Sequence, residues 1–429
     1  MKKIFILIVP VFLWAINFSN IVRGIDNNLL IKSKEAKTKA LKEMLKVAVS
    51  KNYPNINLSL NAIRLQDTPT AIFYVPPLPP VNSIVGTKSN FTGALSFMYP
   101  VFSGFAISNS INKAKLQVIK SELETDNLKR ILYLNALKLY SAIYTLNKAI
   151  KANKDAMQSI DISLKTALGF YKNNLLNLSG VYNIKAKKYD IKASIAKLEN
   201  QRDTLSNKLF YLANIKTDNN IVLNKINIPK NMNYVMDLAF KNRKDIKIIQ
   251  EQLKINDIDI KLSKSSYFPK VAIIGAIKRQ GDSLRLNGNE HTNANENYIG
   301  MNFKWNIFDG FAKSHRKEAA IRQKEATILY FNNYKNLVKT NIKNSFLALR
   351  ALKFELISSQ EQLKAQNEYY LLTKGKFDNS LISADELSRA ISKKAMAKAK
   401  VEEVKADIFK QKFKIALQAG LVYFDQIIK

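Results

Sequence analysis

A chain of 429 residues is long enough to bury a large core, and with no cysteine it has no disulfide, thiolate metal site, cysteine nucleophile or lipidated N-terminal cysteine. Its 68 basic residues against 34 acidic give a formal net charge of +34. The lysines recur among acids along helical stretches, as in Lys393, Lys394, Lys398, Lys400, Glu402, Glu403, Lys405 and Asp407, which is the pattern of solvated helix faces and excludes nucleic acid as the partner.

Lys2 and Lys3, the apolar run Ile4 to Phe18 and the small and polar residues after it have the layout of a secretory signal peptide, assigned here to residues 1–24. Nothing like Ala-x-Ala marks a cleavage site between Phe18 and Ile25, so an uncleaved N-terminal anchor is the other reading. No later stretch approaches the roughly 18 to 20 apolar residues of a membrane-spanning helix, and any further insertion must use strands. A helix is expected over 27–52. Ile56, Leu58, Leu60 and Ala62 then alternate with Asn57, Ser59 and Asn61, and Phe91, Gly93, Leu95, Phe97 and Tyr99 with Thr92, Ala94, Ser96 and Met98. These are strands apolar on one face and polar on the other. The loop between them, Gln66 to Asn90, contains Pro76-Pro77-Leu78-Pro79-Pro80.

Val101-Phe102-Ser103-Gly104-Phe105 leads into the longest readable segment. Ala136, Ile143, Ile150, Met157, Leu164 and Tyr171 recur every seven positions, with Leu139, Leu146, Ile160 and Ala167 in a second row broken only by Asn153. After a polar break from Asn173 to Gly180, Ile184, Ile191, Leu198, Leu205 and Leu212 resume the repeat. The spacing predicts an antiparallel helical hairpin whose first arm, from about Ile107 to Tyr171, would be about 100 Å long.

The second half restates the first. Ile307-Phe308-Asp309-Gly310-Phe311 repeats the turn sequence 206 residues on (310 − 104), and Gly375-Lys376-Phe377 repeats Gly169-Phe170-Tyr171 at the same offset. Strands are expected at Val271 to Ile277 and Ile299 to Trp305, then a hairpin with Ile342, Leu349, Leu356, Leu363, Tyr370 and Phe377 before its break and Leu387, Val401, Val404, Ile408 and Ile415 after it. The domain organisation follows: signal peptide 1–24, first repeat 25–213, linker 214–233, second repeat 234–421 and tail 422–429. Pro54 to Gly104 spans 50 positions and Pro269 to Gly310 spans 41, so the nine extra residues fall in the first loop.

Each strand covers about nine residues, close to the 9 to 11 of a tilted transmembrane strand. Tyr53, Tyr99, Tyr267, Phe268, Tyr298 and Trp305 lie near strand ends, as at a lipid interface. Four strands cannot close a barrel, since known barrels need at least eight and an open edge in lipid leaves backbone groups unpaired. If these strands lie in a membrane, several copies must complete the cylinder.

In both halves, Tyr53-Pro54 or Phe268-Pro269 directly before a strand, the Phe-Ser/Asp-Gly-Phe turn and the hairpin break resemble the TolC-type outer-membrane efflux proteins in order. The segment Met236 to Asp245 is similar to that family's opening of the second repeat. The resemblance covers about 36–421. It implies an α+β membrane protein with long antiparallel coiled-coil hairpins and four transmembrane strands per chain. It further implies a homotrimer with a twelve-stranded barrel in outer-membrane lipid and a helical tunnel in the periplasm. A periplasmic adaptor and an inner-membrane transporter would dock there, and the duct would export small molecules or polypeptides passively, with no enzymatic step and no cofactor.

By the same resemblance, Asn174, Leu175 and Ser179, with Ser380, Leu381 and Ser383, form the hairpin tips at which the adaptor docks. The family usually carries glycine where this chain has Asn174 and Ser380, and an acid where it has Gly180. The first helix, 27–52, is also shorter than its counterpart at 236–267. Asp385, Glu386 and Arg389 fall at the periplasmic aperture, where three copies would gather like charges and Arg389 could bridge them. Ser383-Ala384-Asp385-Glu386 reads equally as a capped helix start. Gly104 and Gly310 permit the passage from strand to helix. His291 and His315 have no convergent partners that would make a metal or catalytic site. The rival to a duct is an exported coiled-coil spacer of the cell envelope without a pore.

Overall fold

The computed structural model describes residues 17–217, 221–229 and 231–421. The apolar run at 1–16 and the tail 422–429 lie outside them. The chain contains α1 (Phe18–Asp26), α2 (Leu29–Ser50), β1 (Asn55–Arg64), β2 (Thr70–Phe73), β3 (Val81–Ile84), β4 (Ser89–Phe102), α3 (Ala106–Lys172) and α4 (Leu178–Ala213). These are followed by α5 (Met232–Asn242), α6 (Lys244–Ser265), β5 (Lys270–Gly281), β6 (Asn295–Lys304), α7 (Ala312–Asp378) and α8 (Ala384–Gln418). Setting aside β2 and β3, the order helix, helix, strand, strand, long helix, helix occurs twice. The long helices α3 and α7 have 67 residues each. The chain divides into a unit made of 1–36, 122–248 and 331–429 and a unit made of 37–121 and 249–330.

Among the described residues the first unit is all helix and linker, and the heptad rows build its core. Ala136, Ile143 and Ile150 of α3, Ile184 and Ile191 of α4, and Leu387, Val401 and Val404 of α8 are buried. Asn153, the polar break in the second row, returns its amide to the Ala149 carbonyl at 2.9 Å and so satisfies itself on its own helix.

The expected signal-peptide boundary at residue 24 falls inside α1. Asn17 caps that helix, and Phe18, Ile21, Val22 and Ile25 are buried in the same core as Tyr140, Phe409 and Phe413. The Phe18 ring lies 4.7 Å from Phe413 and 5.3 Å from Tyr140, edge to face. At Gly24, the last residue of the expected signal peptide, a Cβ would come within 2.2 Å of the Ala213 carbonyl oxygen. The counterpart of Gly24 in the second half is Ala239 (24 + 215, the offset of Pro54 and Pro269), which is fully buried. The helix expected at 236–267 is likewise two helices, broken at Arg243, and α6 and α2 both have 22 residues. The difference in length expected from the sequence thus disappears. The second half starts at the Asn231 cap of α5 rather than at 234, and in the linker Ile221 and Ile226 are buried.

The second unit contains one antiparallel sheet in the order β1-β4-β5-β6. The loop 66–90 is not plain coil, because β2 and β3 pair within it as a small hairpin. In the helical part, Thr38 and Ser121 share a hydrogen bond of 2.7 Å and the Asn256 amide donates to Thr327 Oγ1 at 2.7 Å, so buried polar groups are matched.

Candidate functional site

The register of the sheet aligns the alternating patterns of its strands. Ile56 stands opposite Phe97, Phe97 opposite Gly275 and Gly275 opposite Ile299; Leu58 stands opposite Leu95 and Leu95 opposite Ile277. One face is therefore apolar across all four strands. The other is mostly polar, with Asn55, Asn57, Ser59 and Asn61, then Thr92, Ala94 and Ser96, then Lys278 and Gln280 beside Ala272, Ile274 and Ala276, then Glu296, Tyr298 and Asn302. A one-residue slip in any pair would mix the faces. Leu60 is 74% exposed and Ile299 77%, and every residue of β1 and β6 is exposed. Both outer strands are edges whose outward backbone groups have no partner strand among the described residues.

Aromatic side chains gather where strands meet helices. Trp305 Nε1 donates to the Tyr267 carbonyl at 3.0 Å, and Tyr53, Tyr99 and Phe268 are exposed. Phe105 stacks edge to face on Phe102 and Phe268, with centroids 5.4 and 5.6 Å apart. Gly104 and Gly310 have φ of +62° and +65°, and the phenylalanines after them share that left-handed conformation, at +65° and +66°. Two successive left-handed residues turn each strand sharply into its long helix. Glycine removes the steric cost at the first position only.

At the hairpin tips the departures from glycine leave the turn intact. Asn174 and Ser380 both adopt φ of +59°. Leu175 N–H then bonds back to the Phe170 carbonyl at 2.8 Å and Leu381 N–H to the Lys376 carbonyl at 2.9 Å, closing the two helices identically. Asn177 and Ser383 cap the return helices through Gly180 N–H and Glu386 N–H. Ser179 donates to Asn177 Oδ1 at 2.8 Å. The tips share one core, in which Val181 and Ile184 pack with Phe377, Ala384 and Leu387, while Leu175 and Leu381 are exposed.

Of the three aperture residues, Arg389 pairs with Asp385 at 2.7 Å one turn along the same helix, and both are partly exposed. Among the described residues Glu386 is tied in through its backbone N–H, which donates to Ser383 Oγ. Ser383 with its two following acids thus has the geometry of a capped helix start. These residues lie on the first turns of the return helix that starts at the second tip. Among the described residues no group of histidine and carboxylate side chains could hold a metal, and no helix is long and apolar enough to cross a membrane.

One cluster was not recognised as such in the sequence. Arg243, between α5 and α6, and Arg130 of α3 donate to Asp245 Oδ2 at 2.6 and 2.8 Å, and Tyr334 of α7 adds its hydroxyl at 2.7 Å. Asp245 Oδ1 also accepts the Ile246 N–H. Burial pushes this carboxyl up, but Arg243, Arg130 and Tyr334 overcome it and hold it at about 2. Burial and the same carboxylate push the Tyr334 hydroxyl up to about 12. The available signal was Arg-x-Asp at a helix start; its partners are more than 80 residues away in sequence, which no local pattern reveals.

The outer membrane efflux protein family model matches residues 235–416. No curated protein sequence matches the chain. Among solved structures, the outer membrane protein VceC of Vibrio cholerae shares 13% identity at a TM-score of 0.75, covering 94% of this chain and 96% of that one. The CmeC outer membrane channel of Campylobacter jejuni shares 14% at 0.75, covering 94% and 85%. The outer-membrane channel OprN shares 13% at 0.74, covering 94% and 89%. Identities this low speak for the fold alone, and the sequence match speaks for the second half. Residues 235–416 match the model of the outer membrane efflux protein family, and 94% of the chain has the fold of the outer-membrane channels it resembles.

Proposed function

We propose that the protein is a passive exit duct of the outer membrane, working as a homotrimer with its helical part in the periplasm. The observation that carries this reading is the four-stranded sheet with two bare edges and one continuous apolar face, exposed on both outer strands. An isolated sheet of this kind is stable neither in water, where its apolar face is exposed, nor in lipid, where its edges are unpaired. Pairing β6 of one copy with β1 of the next satisfies both demands, and three copies give twelve strands, enough to enclose a lumen. The apolar face then meets lipid and the polar face lines the passage. A spacer without a pore would gain nothing from this alternation.

The paired tips, with Leu175 and Leu381 exposed beside Asn174, Ser179, Ser380 and Ser383, are the surface offered to a periplasmic adaptor, which would link the duct to an inner-membrane transporter of an efflux or type I secretion system. At the aperture Arg389 neutralises Asp385 within its own helix, leaving Glu386 as the charge repeated around the axis. The purified protein is expected to run as a trimer on unheated gels and to conduct ions in planar bilayers. A protein released from envelopes as a soluble monomer would overturn the reading.

A further inference from the structure

The polar face of the sheet holds an unneutralised pair of cations at one corner. Lys270 and Lys304 stand directly opposite each other in the β5–β6 register. At the matching positions of the first half, Asn55 (270 − 215) stands opposite Met98 (304 − 206) in the β1–β4 register. The same register is thus built without lysine, and the fold does not demand the pair. Like charges facing each other across two strands oppose pairing rather than support it. Both lysines are exposed, and no ion pair is found for either among the described residues. Lys278 on the same face differs, since Glu296 pairs with it at 2.6 Å.

A third cation lies at this strand end. The buried Lys313 ammonium donates to the Asn306 backbone oxygen and to its Oδ1, and sits 6.0 Å from the centre of the Tyr267 ring, and all three are neutral groups. The neighbouring carboxylate, Asp309, accepts the Lys313 backbone N–H as part of the turn into α7.

We propose that Lys270 and Lys304 form an anion-attracting ring that selects carboxylate- or phosphate-bearing solutes as cargo. The proposal rests on the trimeric duct reading, in which three copies place six lysines on the lumen face. Ammonium groups in a confined, weakly screened passage raise the local concentration of anions and repel cations.

The absence of native cysteine allows a local measurement. Asn302, two residues from Lys304 on the same face, is replaced by cysteine (N302C), and its modification by an anionic and a cationic methanethiosulfonate is timed in the reconstituted full-length protein. The comparison background is K270N with K304M, which installs the residues of the first half. Taking the ratio of the two rates cancels any change in thiol reactivity. The ratio should favour the anionic reagent several-fold with both lysines present. It should fall toward that of a free thiol without them, with K304Q alone in between, and the difference should shrink in about 1 M KCl, where the Debye length is ~3 Å. Equal ratios in all three proteins, in preparations that run as trimers and conduct, overturn the lysine ring alone. Preparations that neither trimerise nor conduct overturn the duct reading and this proposal with it.

Discussion

Asp245 is enclosed by Arg130, Arg243 and Tyr334, so neutralising it leaves two arginines short of their countercharge in a buried place. Asp245→Asn should cost about 3 to 5 kcal/mol, the usual result of breaking a buried ion pair from one side, seen as a lower thermal midpoint of the detergent-solubilised protein. The sign of the pH dependence follows from the carboxyl being held down from 3.8 to about 2. Its contribution, about 2 kcal/mol, is complete above 3.8 and is lost as pH falls through about 2. Wild-type stability should therefore drop in that window, and Asp245→Asn should remove this part of the drop. The strand-to-helix glycines make a second residue-scale test. Gly310→Ala meets open space and bears only the left-handed backbone, about 1 kcal/mol, whereas at Gly104 a Cβ would also come within 2.6 Å of the Ser265 carbonyl oxygen. Gly104→Ala should lower the melting temperature clearly more than Gly310→Ala does. Equal effects would mean that the close approach at Gly104 relaxes freely.

At the scale of the element, α1 is where sequence reading and structure part. An apolar run after two lysines reads as an export signal through residue 24, and the short amphipathic helix Phe18–Asp26 that begins where that run ends is absorbed into the same reading. Only the packing of Phe18, Ile21, Val22 and Ile25 against α3 and α8 separates the two uses of the same apolar residues. Burial of four such side chains is worth roughly 1.5 to 3 kcal/mol each, and a chain cut after residue 24 would lose that contribution for Phe18, Ile21 and Val22. N-terminal sequencing of the mature protein should therefore find a first residue at or before Phe18, and a chain beginning at Ile25 would refute this. The hairpin tips teach the opposite lesson. The seven-residue rows, the break and the return helix are all local signals, and the structure places α3, α4, α7 and α8 over them. The left-handed residue at each tip is set by its place in the helix-ending turn, so serine accepts at position 380 a conformation that glycine would adopt at less cost. Ser380→Gly should accordingly raise the melting temperature slightly, by an amount equivalent to about 1 kcal/mol.

For the whole molecule, the decisive quantity is strand number. Four strands, an apolar face and two bare edges require partners, and the expected outcome is a trimer that survives unheated electrophoresis and conducts in bilayers. A charge on the apolar face, as in Leu60→Lys, should cost about 2 to 4 kcal/mol per chain if that residue lies near the lipid midplane, and should reduce assembly into membranes. The same change in a water-exposed sheet would cost little.

By itself the sequence determined the elements whose signals are local: the period of two in the strands, the period of seven in the helices, and the turns and breaks that return at matching offsets. It could not decide whether α1 is removed or packed, that the helix after the linker breaks at Arg243, or that Asp245 meets Arg130 and Tyr334. Those outcomes depend on residues far apart in the chain, and only the tertiary structure brings them together. The two faces were written in three of the four strands, Val271 to Ile277 being apolar on both, yet that all four align, and that Lys270 faces Lys304 while Asn55 faces Met98, is a matter of register. Register is fixed by pairing between strands, and no strand carries that information alone.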